Sequence, residues 1–219
     1  MTTIKICGVQ EAIHAVIAAQ AGADLVGMIL APSRRQISPD KAVEIVHAVR
    51  SSTDSPPRMV GVFVDADAGE VNRIAHSAGL DMVQLNGSED EDYLGKMTAP
   101  VIKAIHVEAE LPGPVAWMGL RKRLAFLRNM GIVPLLDSKV EGVAGGSGQA
   151  FDWDVARGQS EDYDFLLAGG LMPDNVIEAV SRLQPWGVDV SSGVESQGVK
   201  DPEKIRLFIE RVRQFQVGK

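Results

Sequence analysis

The segment AQAGADLV, residues 19–26, contains the pattern that decides the fold: the end of an apolar helix, a glycine, an acid and an apolar strand. A related segment, HSAGLDMV, occupies residues 76–83 in the same order. Glycine ends a helix because it adopts left-handed backbone angles without steric cost. An almost wholly apolar strand is typical of a parallel sheet that is covered on both faces. The repeated segment therefore predicts iterated β/α units rather than unrelated domains.

The same alternation continues outward in both directions. Strands are predicted at residues 3–7, 25–30, 58–64, 81–85, 101–105, 132–136, 165–168 and 188–190. Helices are predicted at residues 11–21, 39–50, 68–78, 89–97, 114–129, 151–157, 173–183 and 202–215, with Ser38 as the N-cap of the second. Eight such units close a barrel, so we expect a single-domain (β/α)8 TIM barrel with parallel strands over residues 1–219. A doubly wound open sheet is the alternative.

Composition and charge exclude several classes of protein. The 219 residues are 45% hydrophobic and 23% charged, and the net charge of -7 argues against a nucleic-acid or anionic-membrane surface. No apolar run approaches the roughly 20 residues of a membrane span, so we expect a cytoplasmic protein with no membrane partner. Cys7 is the single cysteine, which excludes an intramolecular disulfide and a multi-cysteine metal cluster. The four histidines lack ligand spacing, and a structural zinc site is not expected.

Polar residues follow the predicted strands at the end where barrel enzymes carry their active sites. Cys7 ends the first strand, Arg34 and Arg35 follow the second, and Asp137 follows the sixth. Glycine-bearing turns follow the last three strands: Gly145-Gly146-Ser147-Gly148, Gly169-Gly170 and Ser191-Ser192-Gly193. Backbone amides in such turns bind phosphate, so the pattern predicts a sugar-phosphate site with an acid nearby.

Each of these residues also has a plainer interpretation. Cys7 is compatible with a small buried hydrophobe, Asp137 with a turn cap, and the two arginines with solvated surface charges. Two adjacent arginines are not expected to be buried without a carboxylate or phosphate partner. The following acids are expected to be solvated loop and helix-start side chains: Asp65, Asp67, Glu89, Asp90, Glu91 and Asp92.

Several motifs carry a resemblance to a known family, in order from residue 4 to about residue 208. They are KICG at 5–8, SRR with ISP at 33–39, VGVFV at 60–64, LLD at 135–137, GGSG with FDW at 145–153, LAGGL at 167–171, and VDVSSGVE at 188–195. This set resembles phosphoribosylanthranilate isomerase of tryptophan biosynthesis. The resemblance implies an Amadori rearrangement of N-(5-phosphoribosyl)anthranilate to the carboxyphenylamino-deoxyribulose phosphate, without a metal or organic cofactor.

The resemblance also implies roles for particular residues. Asp137 would be the general acid that opens the furanose ring, Cys7 the general base, and Arg35 the partner of the anthranilate carboxylate. The remaining substrate-binding residues implied in this way are Gly145, Gly146, Gly148, Gly169, Gly170, Asp189, Ser191, Ser192 and Gly193. The partner is then a phosphorylated small molecule, and the chain is a monomer or homodimer. As a base, Cys7 must spend time as thiolate, and Lys5, on the same strand face, is a candidate cation.

Two positions depart from the family pattern: Asn86 stands where a histidine is common, and Met28 where an aromatic is frequent. Both put efficiency and substrate breadth in question. Two other functions stay open. A lyase or epimerase on a related sugar phosphate would favour a catalytic lysine or paired histidines, for which Lys5, Lys103 and His106 are the candidates. A non-catalytic sugar-phosphate binder would need the glycine turns but neither proton-transfer group.

Overall fold

The structure is a computed structural model that describes residues 1–107, 113–138 and 156–217. Eight parallel strands close into one barrel in sequence order. They are β1 (Thr3–Ile6), β2 (Leu25–Ile29), β3 (Arg58–Phe63), β4 (Met82–Leu85), β5 (Val101–Val107), β6 (Val133–Ser138), β7 (Leu166–Leu167) and β8 (Gly187–Val190). Because β1 pairs with both β2 and β8, the first and last strands join. The predicted TIM barrel is confirmed, and the open sheet is wrong.

Helices connect successive strands on the outside of the barrel. They are α1 (Ala12–Gln20), α2 (Pro39–Ser52), α3 (Ala68–Ala78), α4 (Glu91–Leu94), α5 (Gly113–Asn129), α6 (Val176–Leu183) and α7 (Pro202–Val217). The Ser38 hydroxyl accepts a hydrogen bond from the Lys41 amide, and Gly79 ends α3 with a left-handed backbone, so both predicted caps are confirmed. None of the described helices combines the length and apolar composition needed to cross a membrane.

The connection after β4 holds a shorter helix than predicted, and the connections before β7 and after β8 contain elements that were not predicted. The predicted helix 89–97 is a single turn, because the Asp90 side chain caps Tyr93 and Gly95 ends the turn. The predicted helix 151–157 falls mainly on residues outside the described ranges, and a 3-10 helix, Gln159–Glu161, precedes β7. After β8, a 3-10 helix, Ser192–Val194, leads into an antiparallel hairpin of β9 (Glu195–Ser196) and β10 (Val199–Lys200).

Apolar side chains form two layers, as the alternation of strand side chains requires. The barrel interior holds Leu25, Val60, Met82, Ile102, Ala104, Leu135, Leu166 and Ala168. The larger layer packs the outer face of the strands against the helices, and Val26 and Met28 belong to it. We call the carboxyl ends of β1 to β8 the barrel mouth. Met28 points away from the interior, so this difference from the family pattern does not face the barrel mouth.

Candidate active site

The barrel mouth brings Cys7, Arg35 and Ser191 together around Gly8. Cys7 directly follows β1, and its amide donates to the Val190 carbonyl at 2.8 Å. Gly8 has a φ of 72°, and a Cβ there would lie 2.7 Å from Arg35 Cδ and 3.0 Å from Ser191 Oγ. A side chain at position 8 would be both strained and crowded. Glycine at this position therefore lets the loop after β2 and the loop after β8 approach Cys7.

Lys5 and Asp189 form a buried ion pair next to Cys7. Lys5 is fully buried, and its Nζ donates to Asp189 Oδ1 at 2.9 Å. A Cβ on Gly27 of β2 would lie 2.9 Å from Cys7 Sγ and 3.0 Å from Lys5 Nζ. The thiol and the ammonium therefore share the space that Gly27 leaves open. The expectation that Lys5 lies on the same strand face as Cys7 is met.

The surroundings of Cys7 have opposing effects on the pKa of its thiol. Burial raises the pKa of Cys7, and the Asp189 carboxylate adds to that effect, whereas Lys5 and Lys200 act to lower it. Burial also acts to lower the pKa of Lys5, but attraction to Asp189 and to Cys7 outweighs it and raises that pKa to about 12. Lys5 is therefore a fixed cation beside the thiol.

Arg35 is held by Glu195, a partner that the sequence analysis did not identify. Arg35 Nε and Nη2 donate to the two Glu195 carboxylate oxygens at 2.6 Å and 2.9 Å. Lys200 Nζ donates to Glu195 Oε1 at 2.7 Å and to the Ser191 carbonyl at 2.9 Å. Arg34 reaches the same carboxylate at 3.3 Å. Arg35, the partly buried arginine of the two, thus has a carboxylate partner of the kind expected for a buried arginine, and this partner lies in the β9–β10 hairpin.

Asp137 is the penultimate residue of β6, not a loop residue after the strand as predicted. Strand β5 extends far enough to pair with it, with His106 as its register partner. Since Leu135 lies in the interior, alternation places Asp137 on the interior face of β6. The ladder thus fixes the backbone of Asp137, which a loop position would leave less restrained.

His106 lies beside the turn in which Asn86 replaces a histidine. His106 Nε2 is 3.2 Å from the Asn86 carbonyl oxygen, and the Gln84 side chain donates to Asn86 Oδ1 at 2.8 Å. Among the described residues, no group of three or more His, Cys, Asp or Glu is arranged to hold a metal ion.

Two of the three predicted phosphate-binding turns, those after β7 and β8, lie within the described residues and contact each other. Gly169 and Gly170 follow β7 with φ values of 86° and 69°, a conformation that only glycine adopts readily. A Cβ on Gly193 would overlap the Leu171 carbonyl, so the turns after β7 and β8 lie directly against each other. The third predicted turn, with Gly145, Gly146 and Gly148, lies outside the described residues. Ser192 begins the 3-10 helix after β8.

A second buried ion pair lies after β4. Lys103 Nζ donates to Glu89 Oε2 at 2.8 Å and to the Gly87 carbonyl at 2.7 Å. Glu89 also accepts from the Asp65 and Gly87 amides, so the expectation that Glu89 is solvated is wrong. Since Ile102 and Ala104 face the interior, Lys103 lies on the outer face of β5. That position gives no support to Lys103 as a catalytic lysine.

Sequence comparisons extend over nearly the whole chain. A family model described as N-(5'phosphoribosyl)anthranilate (PRA) isomerase matches residues 4–211. A relative from Dehalococcoides mccartyi, named N-(5'-phosphoribosyl)anthranilate isomerase, is 44% identical over 97% of this chain and 96% of its own length. A relative of the same name from a Roseiflexus species is 45% identical over 97% of this chain and 98% of its own.

Solved structures give the same family. Phosphoribosyl anthranilate isomerase from Thermotoga maritima superposes with a TM-score of 0.83 at 33% identity, covering 98% of this chain and 100% of that one. A phosphoribosyl anthranilate isomerase in complex with reduced 1-(o-carboxyphenylamino)-1-deoxyribulose 5-phosphate has a TM-score of 0.80 at 31% identity, with 98% and 100% covered. The barrel therefore has a structural counterpart that was solved with a phosphorylated ligand.

Proposed function

The chain belongs to the N-(5'-phosphoribosyl)anthranilate isomerase family, and from that premise we propose how its barrel mouth isomerises N-(5'-phosphoribosyl)anthranilate in tryptophan biosynthesis. The product is 1-(o-carboxyphenylamino)-1-deoxyribulose 5-phosphate. The observation that carries the proposal is the placement of Cys7 beside a buried cation and beside Arg35, at the end of the barrel where Asp137 also lies. One proton donor, one base and one carboxylate partner are what this rearrangement requires.

In the first step, Asp137 donates its proton to the furanose ring oxygen. The ring carbon–oxygen bond breaks, and the anthranilate nitrogen supplies the electron pair that forms a Schiff base. Asp137 must be protonated when the substrate binds and becomes a carboxylate as the ring opens. Its position inside β6 supports the role, because a backbone fixed by ladder hydrogen bonds holds the acid at a constant distance from the substrate.

In the second step, the Cys7 thiolate removes the proton from the adjacent sugar carbon. The electron pair of that bond moves toward the Schiff-base nitrogen and gives an enolamine, which tautomerises to the ketone. Both steps move protons alone, so the proposal assigns no role to a metal or organic cofactor. The buried position of Cys7 supports a base that works away from bulk water.

Arg35 and the glycine turns orient the substrate. Glu195 occupies two of the five N–H donors of Arg35 and leaves the others for the anthranilate carboxylate. Gly169, Gly170 and the turn from Ser191 to Gly193 would present backbone amides to the phosphate. Asp189 would contribute to the site indirectly, because its carboxylate holds Lys5 in place. The turn with Gly145, Gly146 and Gly148 is assigned to the phosphate on the resemblance alone.

We also propose that residues 1–219 form one catalytic domain, cytoplasmic and either monomeric or homodimeric. Pairing of β1 with β8 supports one domain, because the two ends of the chain build adjacent strands. The net charge of -7 supports a small-molecule partner rather than nucleic acid. A Thermotoga maritima relative at 31% identity is described as mutually generated monomers of a dimeric enzyme, so both states occur among such structures.

The deciding experiment follows the loss of anthranilate-derivative fluorescence when substrate is generated in situ. Cys7→Ser and Asp137→Asn should each reduce kcat by about 10²–10⁴, the usual contribution of one acid or base. Asp92→Asn, at an exposed helix position, is the matched control and should keep wild-type activity. Full activity in Asp137→Asn would remove the proposed acid. Wild-type protein that binds phosphorylated ligands but turns over no substrate would favour the non-catalytic binder.

A further inference from the structure

The Lys5–Asp189 pair is buried at a cost that the barrel does not require. Lys5 is 0% exposed and Asp189 is 8% exposed. Removing two charges from water is expensive, and apolar side chains of similar volume stabilise most interiors as well or better. Many of the other interior strand positions carry the apolar side chains named above. The pair therefore invites a chemical explanation rather than a purely structural one.

The two strands that flank β1, namely β8 and β2, place the Lys5–Asp189 pair next to Cys7. Lys5 and Cys7 lie two residues apart on the same face of the first β/α unit, and Asp189 is the register partner of Lys5 on β8. On the other side, β2 contributes Gly27, where any Cβ would collide with both the thiol sulfur and the Lys5 nitrogen. The absent side chain leaves the two atoms facing each other in the same space.

We propose that Lys5 is a positioning residue whose ammonium, held in place by Asp189, increases the fraction of buried Cys7 that is present as the thiolate, the form that serves as base. The inference rests on the proposed function, in which Cys7 removes a carbon-bound proton. In the free enzyme, the thiol proton leaves to solvent. Cys7 then takes the proton from the sugar carbon and returns it to solvent after the product leaves. Lys5 keeps its own proton throughout and acts on the Cys7 thiol, not on the substrate.

The charges that face Cys7 come from three elements: Lys5 on β1, Asp189 on β8 and Lys200 on β10. Lys200 is the more distant influence, because its nitrogen is bound to Glu195 Oε1 and the Ser191 carbonyl. Arg35 lies next to Gly8, but its guanidinium is paired with Glu195. Of the attractive charges, Lys5 lowers the pKa of Cys7 most, against the stronger effect of burial. Removing Lys5 should therefore raise that pKa further.

The test uses the fact that Cys7 is the single cysteine of the chain. The thiolate is titrated in purified protein by its ultraviolet absorbance and by the pH dependence of the iodoacetamide reaction rate. Lys5→Met should raise the titration midpoint by one pH unit or more, which means about tenfold less thiolate at a given pH below the midpoint. Lys103→Met is the matched control, since it removes the lysine of the other buried pair and should leave the midpoint unchanged.

A second variant guards against misfolding of Lys5→Met, which leaves Asp189 buried without its cation. Lys5→Met/Asp189→Asn removes both charges and should show a higher midpoint than wild type as well. The ascending limb of the pH profile of kcat/KM should shift in parallel. A wild-type midpoint in either variant overturns the inference. Because the titration needs no turnover, its result stands apart from the proposed function, which is tested by the activities of wild type, Cys7→Ser and Asp137→Asn.

Discussion

Two buried lysine–carboxylate pairs lie near the barrel mouth, and their neighbours differ. Lys103 on the outer face of β5 binds Glu89, and its other hydrogen bonds go to the backbone carbonyls of Leu85 and Gly87. Lys5 on the inner face of β1 binds Asp189, and the Cys7 thiol lies beside its ammonium. The bonds are almost equal in length, at 2.8 Å and 2.9 Å.

The different surroundings on the two faces of the strands lead us to expect different roles for the two pairs. On the outer face, the Lys103–Glu89 pair satisfies backbone groups in the connection after β4 and thereby fixes the shape of that turn. On the inner face, the ammonium of Lys5 is directed at side chains, the Asp189 carboxylate and the Cys7 thiol. The first pair is thus expected to affect stability, and the second to affect the protonation of Cys7. The predictions below test that separation, from the largest effect to the smallest.

Glu89→Ala should reduce the free energy of unfolding by about 3 kcal/mol, because it leaves the Lys103 ammonium buried without its carboxylate. It also removes the acceptor of the Asp65 and Gly87 amides. Urea unfolding followed by circular dichroism measures the loss. Glu91→Ala, at an exposed position in α4, is the control and should change little. The titration midpoint of Cys7 should stay at its wild-type value; a shifted midpoint would erase the distinction between the two pairs.

Arg35→Ala should weaken binding of a carboxylated product analogue about tenfold to a hundredfold, since a charge-assisted hydrogen bond contributes about 1.5–3 kcal/mol. Isothermal titration calorimetry with the analogue and with inorganic phosphate separates the two contacts, and phosphate affinity should change far less. Arg34→Ala, half-exposed and bound to the same Glu195, is the control. Equal losses for both ligands would make Arg35 a general source of positive charge rather than a partner of the carboxylate.

Gly193→Ala should reduce phosphate affinity and stability together, because the added methyl group overlaps the Leu171 carbonyl and pushes the turns after β7 and β8 apart. Overpacking of this kind costs about 1–3 kcal/mol. Calorimetry with inorganic phosphate and urea unfolding are the two measurements. Gly119→Ala adds a methyl group where no atom lies within 4 Å and should do neither. Unchanged phosphate affinity in Gly193→Ala would remove this turn from the phosphate site.

Acid should weaken the Arg35–Glu195–Lys200 cluster. Burial opposes ionisation of Glu195, but hydrogen bonds from Arg35 and Lys200 outweigh it, so its pKa lies below the ordinary 4.5. A carboxyl group with a lowered folded-state pKa contributes its full stability above pH 4.5 and loses it as the pH falls through the folded-state value. Urea midpoints of wild type and Glu195→Gln should therefore differ above pH 4.5 and converge below it. A constant difference across that range would contradict the charged contact.

Local sequence was sufficient for the elements that depend on local physics. The glycine at position 79 and the hydroxyl of Ser38 act within one helical turn, so their caps were predicted correctly. The one-turn helix α4 was overestimated, because Asp90 and Gly95 compete with the apolar periodicity of that segment. Asp137 was placed in a loop, since its strand is extended by pairing with β5, and that partner is distant in sequence.

For the candidate site, the sequence could predict which residues lie at the ends of strands, but not which of them contact each other. Cys7, Arg35 and Ser191 were identified by position and Asp189 through the family resemblance, but Glu195 as the partner of Arg35 was missed. The position of Glu195 shortly after the glycine turn that follows β8 was the one sequence feature that could have pointed to it. That position does not indicate which cation Glu195 binds. Glu89 was misassigned to solvent for the same reason. Its hydrogen bonds go to a lysine and to amides of other segments, which no local pattern encodes.

The sequence by itself determined the repeated β/α unit, the barrel that eight such units close, and the end of the barrel at which the polar residues lie. Those features follow from periodicity and helix caps, which act over a few residues. Only the tertiary structure decided which charges meet. Lys5 and Asp189 are 184 residues apart, and closure of β1 against β8 makes them neighbours beside Cys7. Register and strand face fix such pairs, and both are set by the closed barrel as a whole.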